Sequence, residues 1–125
     1  MVAARGPVFV IDDDEAVRKS LKFVLELEGL DVVLFRDGEA FLAHVDRTTD
    51  GCLLVDHFMP VMTGVELMLE LRTRQVVLPA ILMTVQPSDE LDHRARATGF
   101  THVLEKPLNG GTLIEAIRLA LAHRA

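Results

Sequence analysis

The chain has 125 residues, half of them hydrophobic, with a formal net charge of −6 and a single cysteine, Cys52. That length suits one domain, residues 1–125, with a proper core, and the acidic balance argues against direct binding of nucleic acid, which needs a basic surface. One cysteine excludes an intramolecular disulfide, no apolar run nears the ~20 residues of a membrane span, and "MVAARGP" is too short and mildly apolar for a signal peptide, so a cytoplasmic setting without membrane contact is expected.

Val8–Ile11 is a continuous apolar run and reads as a buried strand. Glu15–Glu28 reads as a helix, with Val17, Leu21, Val24 and Leu25 on one face and Arg18, Lys19, Lys22 and Glu26 facing water. Gly29 is a helix stop. Val32–Phe35 is the second strand, and a helix through Phe41, Leu42 and Val45 follows Asp37-Gly38. "CLLVD" (52–56) is a wholly apolar strand ending in an acid. "GVELMLELR" (64–72) is helical, with Val65, Met68 and Leu69 expected inward. "AILMT" (80–84) is the fourth strand, and "SDELDHRARAT" (88–98) is a polar helix with little to bury beyond Leu91 and Ala95. Val103–Leu104 lie in the fifth strand, and Thr112–Ala122 form the last helix. Strands apolar on both sides imply a parallel sheet covered on both faces, a doubly wound α/β sandwich.

In such sheets ligands bind beyond the carboxyl ends of the strands, where strand order reverses. The polar residues there are Asp12 and Asp13 after strand one, Asp56 after strand three, Thr84 after strand four and Lys106 after strand five. If strands one and three are neighbours, three carboxylates converge. Such a cluster suits a hard divalent ion, Mg2+, which takes oxygen ligands. A metal, a lysine and a hydroxyl are the parts phosphoryl transfer needs, and a carboxylate can itself be the nucleophile.

Taken together, "VFVIDDDEAVRKSL", "CLLVDHFMPVMTGVELM", "AILMT" and "VLEKPL" resemble the CheY-like receiver domain of two-component response regulators, over essentially the whole chain. The first segment and "GVELM" are most similar to the FixJ-like subgroup. The resemblance implies a flavodoxin-like sheet in the order 2-1-3-4-5 flanked by five helices. It implies that Asp12 and Asp13 hold Mg2+, that Asp56 is the phosphoacceptor and a metal ligand, and that the backbone carbonyl of Phe58 completes the metal site. Thr84 matches the switch hydroxyl and Lys106 the phosphate-contacting lysine. Asp14 has no binding role and serves the positive end of the first helix. The Lys106–Pro107 bond is expected to be cis. The phosphodonor would be a sensor histidine kinase or a phosphotransfer protein. The partner, dimer or output-domain face would be the one made by the fourth helix, fifth strand and fifth helix. The domain would act as an enzyme only on its own phosphorylation and dephosphorylation.

Single residues carry plainer readings. Asp12–Asp13 alone fits a solvated helix start, Asp56 a turn, Thr84 a β-favouring strand end and Lys106 a surface lysine; their joint placement at strand ends outweighs these. His44, His57, His93, His102 and His123 lack metal-ligand spacing and read as surface residues. Cys52, Met59 and Met62 read as packing, and Gly64 as a turn needing positive φ.

Three positions depart from the receiver pattern. Val85 stands where a small residue usually follows the switch threonine, Phe58 where many receivers are polar, and Val103, next to His102, where the switch aromatic sits. Val85 and Phe58 lead to the expectation of slow phosphoryl exchange. Val85 and Val103 keep open a phosphate-independent interaction module. An aspartyl-phosphate phosphatase is disfavoured because "DHFMP" lacks a second acid two residues after the nucleophile. A flavin-binding reading fails because no hydroxyl- or glycine-rich phosphate loop follows strand one.

Overall fold

The computed structural model describes residues 6–122. Five strands and five helices alternate: β1 (Val8–Ile11), α1 (Glu15–Leu27), β2 (Val32–Phe35), α2 (Gly38–His44), β3 (Cys52–Asp56), α3 (Gly64–Thr73), β4 (Ala80–Thr84), α4 (Asp89–Thr98), β5 (His102–Glu105) and α5 (Gly110–Ala122). The strands form one parallel sheet in the order β2-β1-β3-β4-β5. The chain therefore steps outward from β1 to β2, then crosses back beyond β1 to β3. The reversal lies between β1 and β3, as expected.

Side chains alternate across a strand, and here both faces are covered. Phe9, Ile11, Leu53, Val55 and Leu82 pack under residues of α2, α3 and α4, including Phe41, Leu67, Leu71 and Leu91. Val8, Val10, Leu54, Ile81 and Met83 pack under α1 and α5, including Leu21, Leu25, Leu113 and Ile117. Continuous apolar strands follow, and Cys52 is one of these buried packing residues, with burial pushing its thiol up to about 12.

Several local expectations need correction. Within α3 the inward residues are Val65, Leu67, Met68 and Leu71, while Leu69 is 48% exposed. Leu67 and Leu71 occupy the core-facing stripe that position 69 lies too far round the helix to reach. The last helix starts two residues earlier than expected, at Gly110, and the second ends at His44, before Val45. Gly64 does not have positive φ. A Cβ there would lie 2.5 Å from the Leu82 side chain and 3.0 Å from the Asp56 carbonyl, so close approach of α3 to the sheet accounts for it. Met59 is buried and Met62 packs against the core, as expected. The N-terminal "MVAAR" and His123 lie outside the described residues.

Candidate functional site at the carboxyl edge of the sheet

Ending β1 and β3 side by side fixes the site. Asp12 is wholly buried, and each of its polar atoms has a partner. Its amide donates to the Phe35 carbonyl at 3.2 Å. Its Oδ1 accepts from the Asp14 amide at 2.9 Å, its Oδ2 accepts from Lys106 Nζ at 2.8 Å, and its carbonyl accepts from Arg18 Nη1 at 2.6 Å. Asp13, next in the chain, is exposed. Asp14 caps α1, accepting from the amides of Ala16 at 2.9 Å and Val17 at 3.2 Å. The three consecutive aspartates thus have three environments: one strapped down, one open, one a helix cap.

Asp56 closes β3 and is 5% exposed. Lys106 Nζ stands 3.3 Å from its Oδ1, so one ammonium spans Asp12 and Asp56. Lys106 is set by its backbone, whose amide donates to the Thr84 carbonyl at 2.8 Å, and its bond to Pro107 is cis. Thr84 is fully buried, and its Oγ1 accepts from the Gln86 amide at 3.1 Å, which leaves the O–H to donate elsewhere.

Asp12, Asp13 and Asp56 each offer a carboxylate oxygen, and these oxygens lie within 4.8 Å of one another. Burial, and then the charge of Asp12, pushes the Asp56 carboxyl above its usual range, against the pull of Lys106. Burial draws the Lys106 ammonium down, but the hydrogen bond and charge of Asp12, with Asp56 behind, hold it above its usual value. Three acids against one ammonium leave excess negative charge, and an all-oxygen donor set of this kind fits a hard divalent cation. Phe58 lies two residues beyond Asp56 in the β3–α3 loop; the residue is 48% exposed, and its ring meets the His57 ring edge-on at 4.9 Å. Val85, just past Thr84, is 57% exposed. Val103 is part-buried, packed beside the α3–α4 side of the core.

Two residues differ from the sequence expectation. Arg18 does not simply face water, since its guanidinium turns back to the Asp12 carbonyl. The available signal was a cation in the first turn of a helix, where the backbone dipole disfavours it. His57 is not a surface residue: it is 7% exposed, and its Nδ1 has no hydrogen-bond partner among the described residues. Burial, then the Arg94 charge, lowers its pKa, against the pull of Glu66. Of the other histidines, His44 and His93 are exposed, and His102 is half-buried with its ring beside the Thr101 hydroxyl.

The model of the response regulator receiver domain family matches residues 8–118. The transcriptional regulatory protein FixJ of Rhizobium meliloti is 37% identical over 93% of this chain and 57% of its own length. FixJ of Azorhizobium caulinodans is 40% identical over 95% of this chain and 56% of its own. The chain thus spans little more than half the length of these relatives. The crystal structure of FixJ-N superposes with a TM-score of 0.90 at 35% identity, covering 100% of this chain and 98% of that one.

Proposed function

Because the chain belongs to the response regulator receiver domain family, we propose that it is a phosphoacceptor switch in which Asp56 takes a phosphoryl group from a phosphohistidine. The observation that carries this reading is the meeting of Asp12, Asp13 and Asp56 at one strand edge, with Lys106 on two of them. A carboxylate oxygen of Asp56 attacks phosphorus as the bond to the donor imidazole breaks, and the imidazole leaves with that electron pair. Lys106 offsets charge on the transferred group, and the Thr84 hydroxyl donates to one of its oxygens. The carboxylates of Asp12, Asp13 and Asp56 and the carbonyl of Phe58 would hold Mg2+, which when bound neutralises charge on acids and phosphoryl oxygens together.

The phosphorylated group is bulkier and more negative than the carboxylate it replaces. Thr84 moves to meet it, and α4, which follows Thr84, moves with it. The face of α4, β5 and α5 then reports the change to a second copy or an output domain. The donor is a sensor histidine kinase or a phosphotransfer protein, and the setting is cytoplasmic. Phe58, two residues past Asp56, and Val85, next to Thr84, are exposed apolar side chains that slow exchange in both directions. Phosphorylation and hydrolysis rates unchanged from the unaltered protein in a Val85→Ala, Phe58→Arg double variant would remove that feature.

The test is incubation with acetyl phosphate and Mg2+, read by intact mass. The expected result is a gain of one phosphoryl group, lost in Asp56→Asn and without Mg2+. No gain, with beryllofluoride still entering the site, would favour the phosphate-independent interaction module.

A further inference from the structure

We infer that Arg18 is a positioning residue for the acidic pair: its guanidinium straps the Asp12 main chain so that the carboxylates of Asp12 and Asp13 are set for a divalent cation. The inference rests on the reading of the site given above and adds a residue to it.

Arg18 is the fourth residue of α1, whose first residue is Glu15. A cation there faces the positive end of the helix, which disfavours it. Its backbone is already satisfied, since its amide donates to the Asp14 carbonyl at 3.0 Å. The side chain does not relieve the dipole by extending into water. It folds back and donates to the Asp12 carbonyl at 2.6 Å.

Its target is the residue that most needs holding. Asp12 lies between an open acid, Asp13, and the buried acid Asp56. Mutual repulsion tends to turn such carboxylates apart. Lys106 and the Asp14 amide fix the two carboxylate oxygens of Asp12. The Phe35 carbonyl fixes its amide. The carbonyl is the remaining handle on the peptide plane joining Asp12 to Asp13, and Arg18 holds it. Rotation of that plane would swing Asp13, which is exposed and has freedom to move. Arg18 also brings a second positive group to the acids through the Asp12 carbonyl, so it does not compete with the ion for their carboxylate oxygens.

Two effects of removing Arg18 oppose each other, which makes the sign informative. Losing a nearby cation raises affinity for Mg2+. Losing the strap lowers it, as loss of groups that orient metal ligands commonly does, by 10–100-fold. The strap acts through a hydrogen bond at close range, whereas the charge is partly screened, so the net expectation is about a tenfold loss, at the low end of that range.

The experiment is titration of the full chain with Mg2+ alone, followed by calorimetry, for the unaltered protein, Arg18→Met and Arg18→Lys. Methionine keeps the apolar stem and removes the donors; lysine keeps the charge and an ammonium that can still donate. Arg118→Met is the control, because Arg118 joins α5 to Glu28 at the far end of α1. The expected result is about tenfold weaker Mg2+ binding in Arg18→Met, recovery of most of it in Arg18→Lys, and no change in Arg118→Met. In phosphorylation by acetyl phosphate, the half-saturating Mg2+ concentration should rise by the same factor while the rate at saturating Mg2+ holds. Should Arg18→Met fail to fold, Arg18→Ala and Arg18→Lys carry the same comparison. Unchanged or tighter binding in a folded Arg18→Met overturns the strap, and so does equal weakening in Arg18→Lys. Absence of Mg2+ binding in the unaltered protein overturns the reading of the site itself, and the strap with it.

Discussion

Helices α3 and α4 lie side by side on the same face of the sheet, and each has 10 residues. They are held very differently. α3 buries Val65, Leu67, Met68 and Leu71, and its start is locked by a reciprocal pair in which Thr63 accepts from the Glu66 amide and Glu66 accepts from the Thr63 amide. α4 buries only Leu91 and Ala95. Its further restraints include a part-buried Ser88 cap and exposed polar contacts: the Asp92–Arg96 pair, Arg96 on the Thr101 carbonyl, and Arg72 of α3 on the Ala97 carbonyl. At roughly 1.5–3 kcal/mol per large buried apolar side chain, α3 is anchored by several kcal/mol more than α4. α3 follows Asp56, the proposed phosphoacceptor, and α4 follows Thr84, the proposed switch hydroxyl. On that reading the helix after the atom that must stay fixed is heavy, and the helix after the group that must move is light.

The largest expected effect is on the heavy side. Leu67→Ala should lower the free energy of unfolding by about 3–4 kcal/mol in urea, because the side chain is fully buried and its cavity cannot close. The matched change in α4, Leu91→Ala, should cost about 2 kcal/mol, the low end for such a substitution, because Leu91 is one of only two buried residues in its helix. Equal losses would erase the contrast between the two helices. Next in size is Gly64→Ala at the start of α3. Its Cβ would meet Leu82 at 2.5 Å and the Asp56 carbonyl at 3.0 Å, so overpacking should cost about 1–3 kcal/mol. Because the clash reaches Asp56 itself, the variant should also phosphorylate more slowly; loss of stability alone would detach α3 from the site.

A subtler contrast concerns opening rather than global stability. Amides of α4 should exchange with solvent through openings well below the global free energy, and those of α3 only near it. Beryllofluoride with Mg2+ should change protection in α4 more than in α3. Uniform protection across both helices would show that α4 is not a separately moving element.

Much of this was legible in the sequence because the fold is written in apolar strands. "VFVI", "CLLV" and "AILM" have no polar residue on either face, which only a covered parallel sheet accommodates, and that placed Asp12, Asp56 and Thr84 at strand ends. The polar composition of 88–98 likewise announced a lightly held α4. What escaped were contacts set by rotation about a helix or by close approach. Leu69 looked inward because helical spacing tolerates a small angular error, and only packing decides which apolar residue takes the stripe. Gly64 looked like a turn glycine because φ and crowding leave the same residue type. Arg18 and His57 were read from residue type, as surface groups, when their position beside the acids governs them.

His57 gives the smallest and most local prediction, and it tests both helices at once. It is the first residue after β3, and Arg94 of α4 and Glu66 of α3 act on it in opposite senses. Burial, then Arg94, lowers its folded pKa below 6.5. The folded state therefore binds a proton less readily than the unfolded state, so this contribution to stability is complete above pH 6.5 and is lost as pH falls from there toward the folded value. His57→Phe keeps an aromatic ring beside Phe58 and removes both the titration and the unpartnered Nδ1. It should change stability by less than about 1 kcal/mol at pH 8 and flatten the decline on acidification in chemical denaturation, measured without Mg2+. Arg94→Gln should flatten it less, because the charge on α4 is the smaller of the two causes. An unchanged decline in His57→Phe would assign the acid sensitivity to other groups. A full effect in Arg94→Gln would mean that α4 sits closer and more firmly over His57 than its two buried side chains imply.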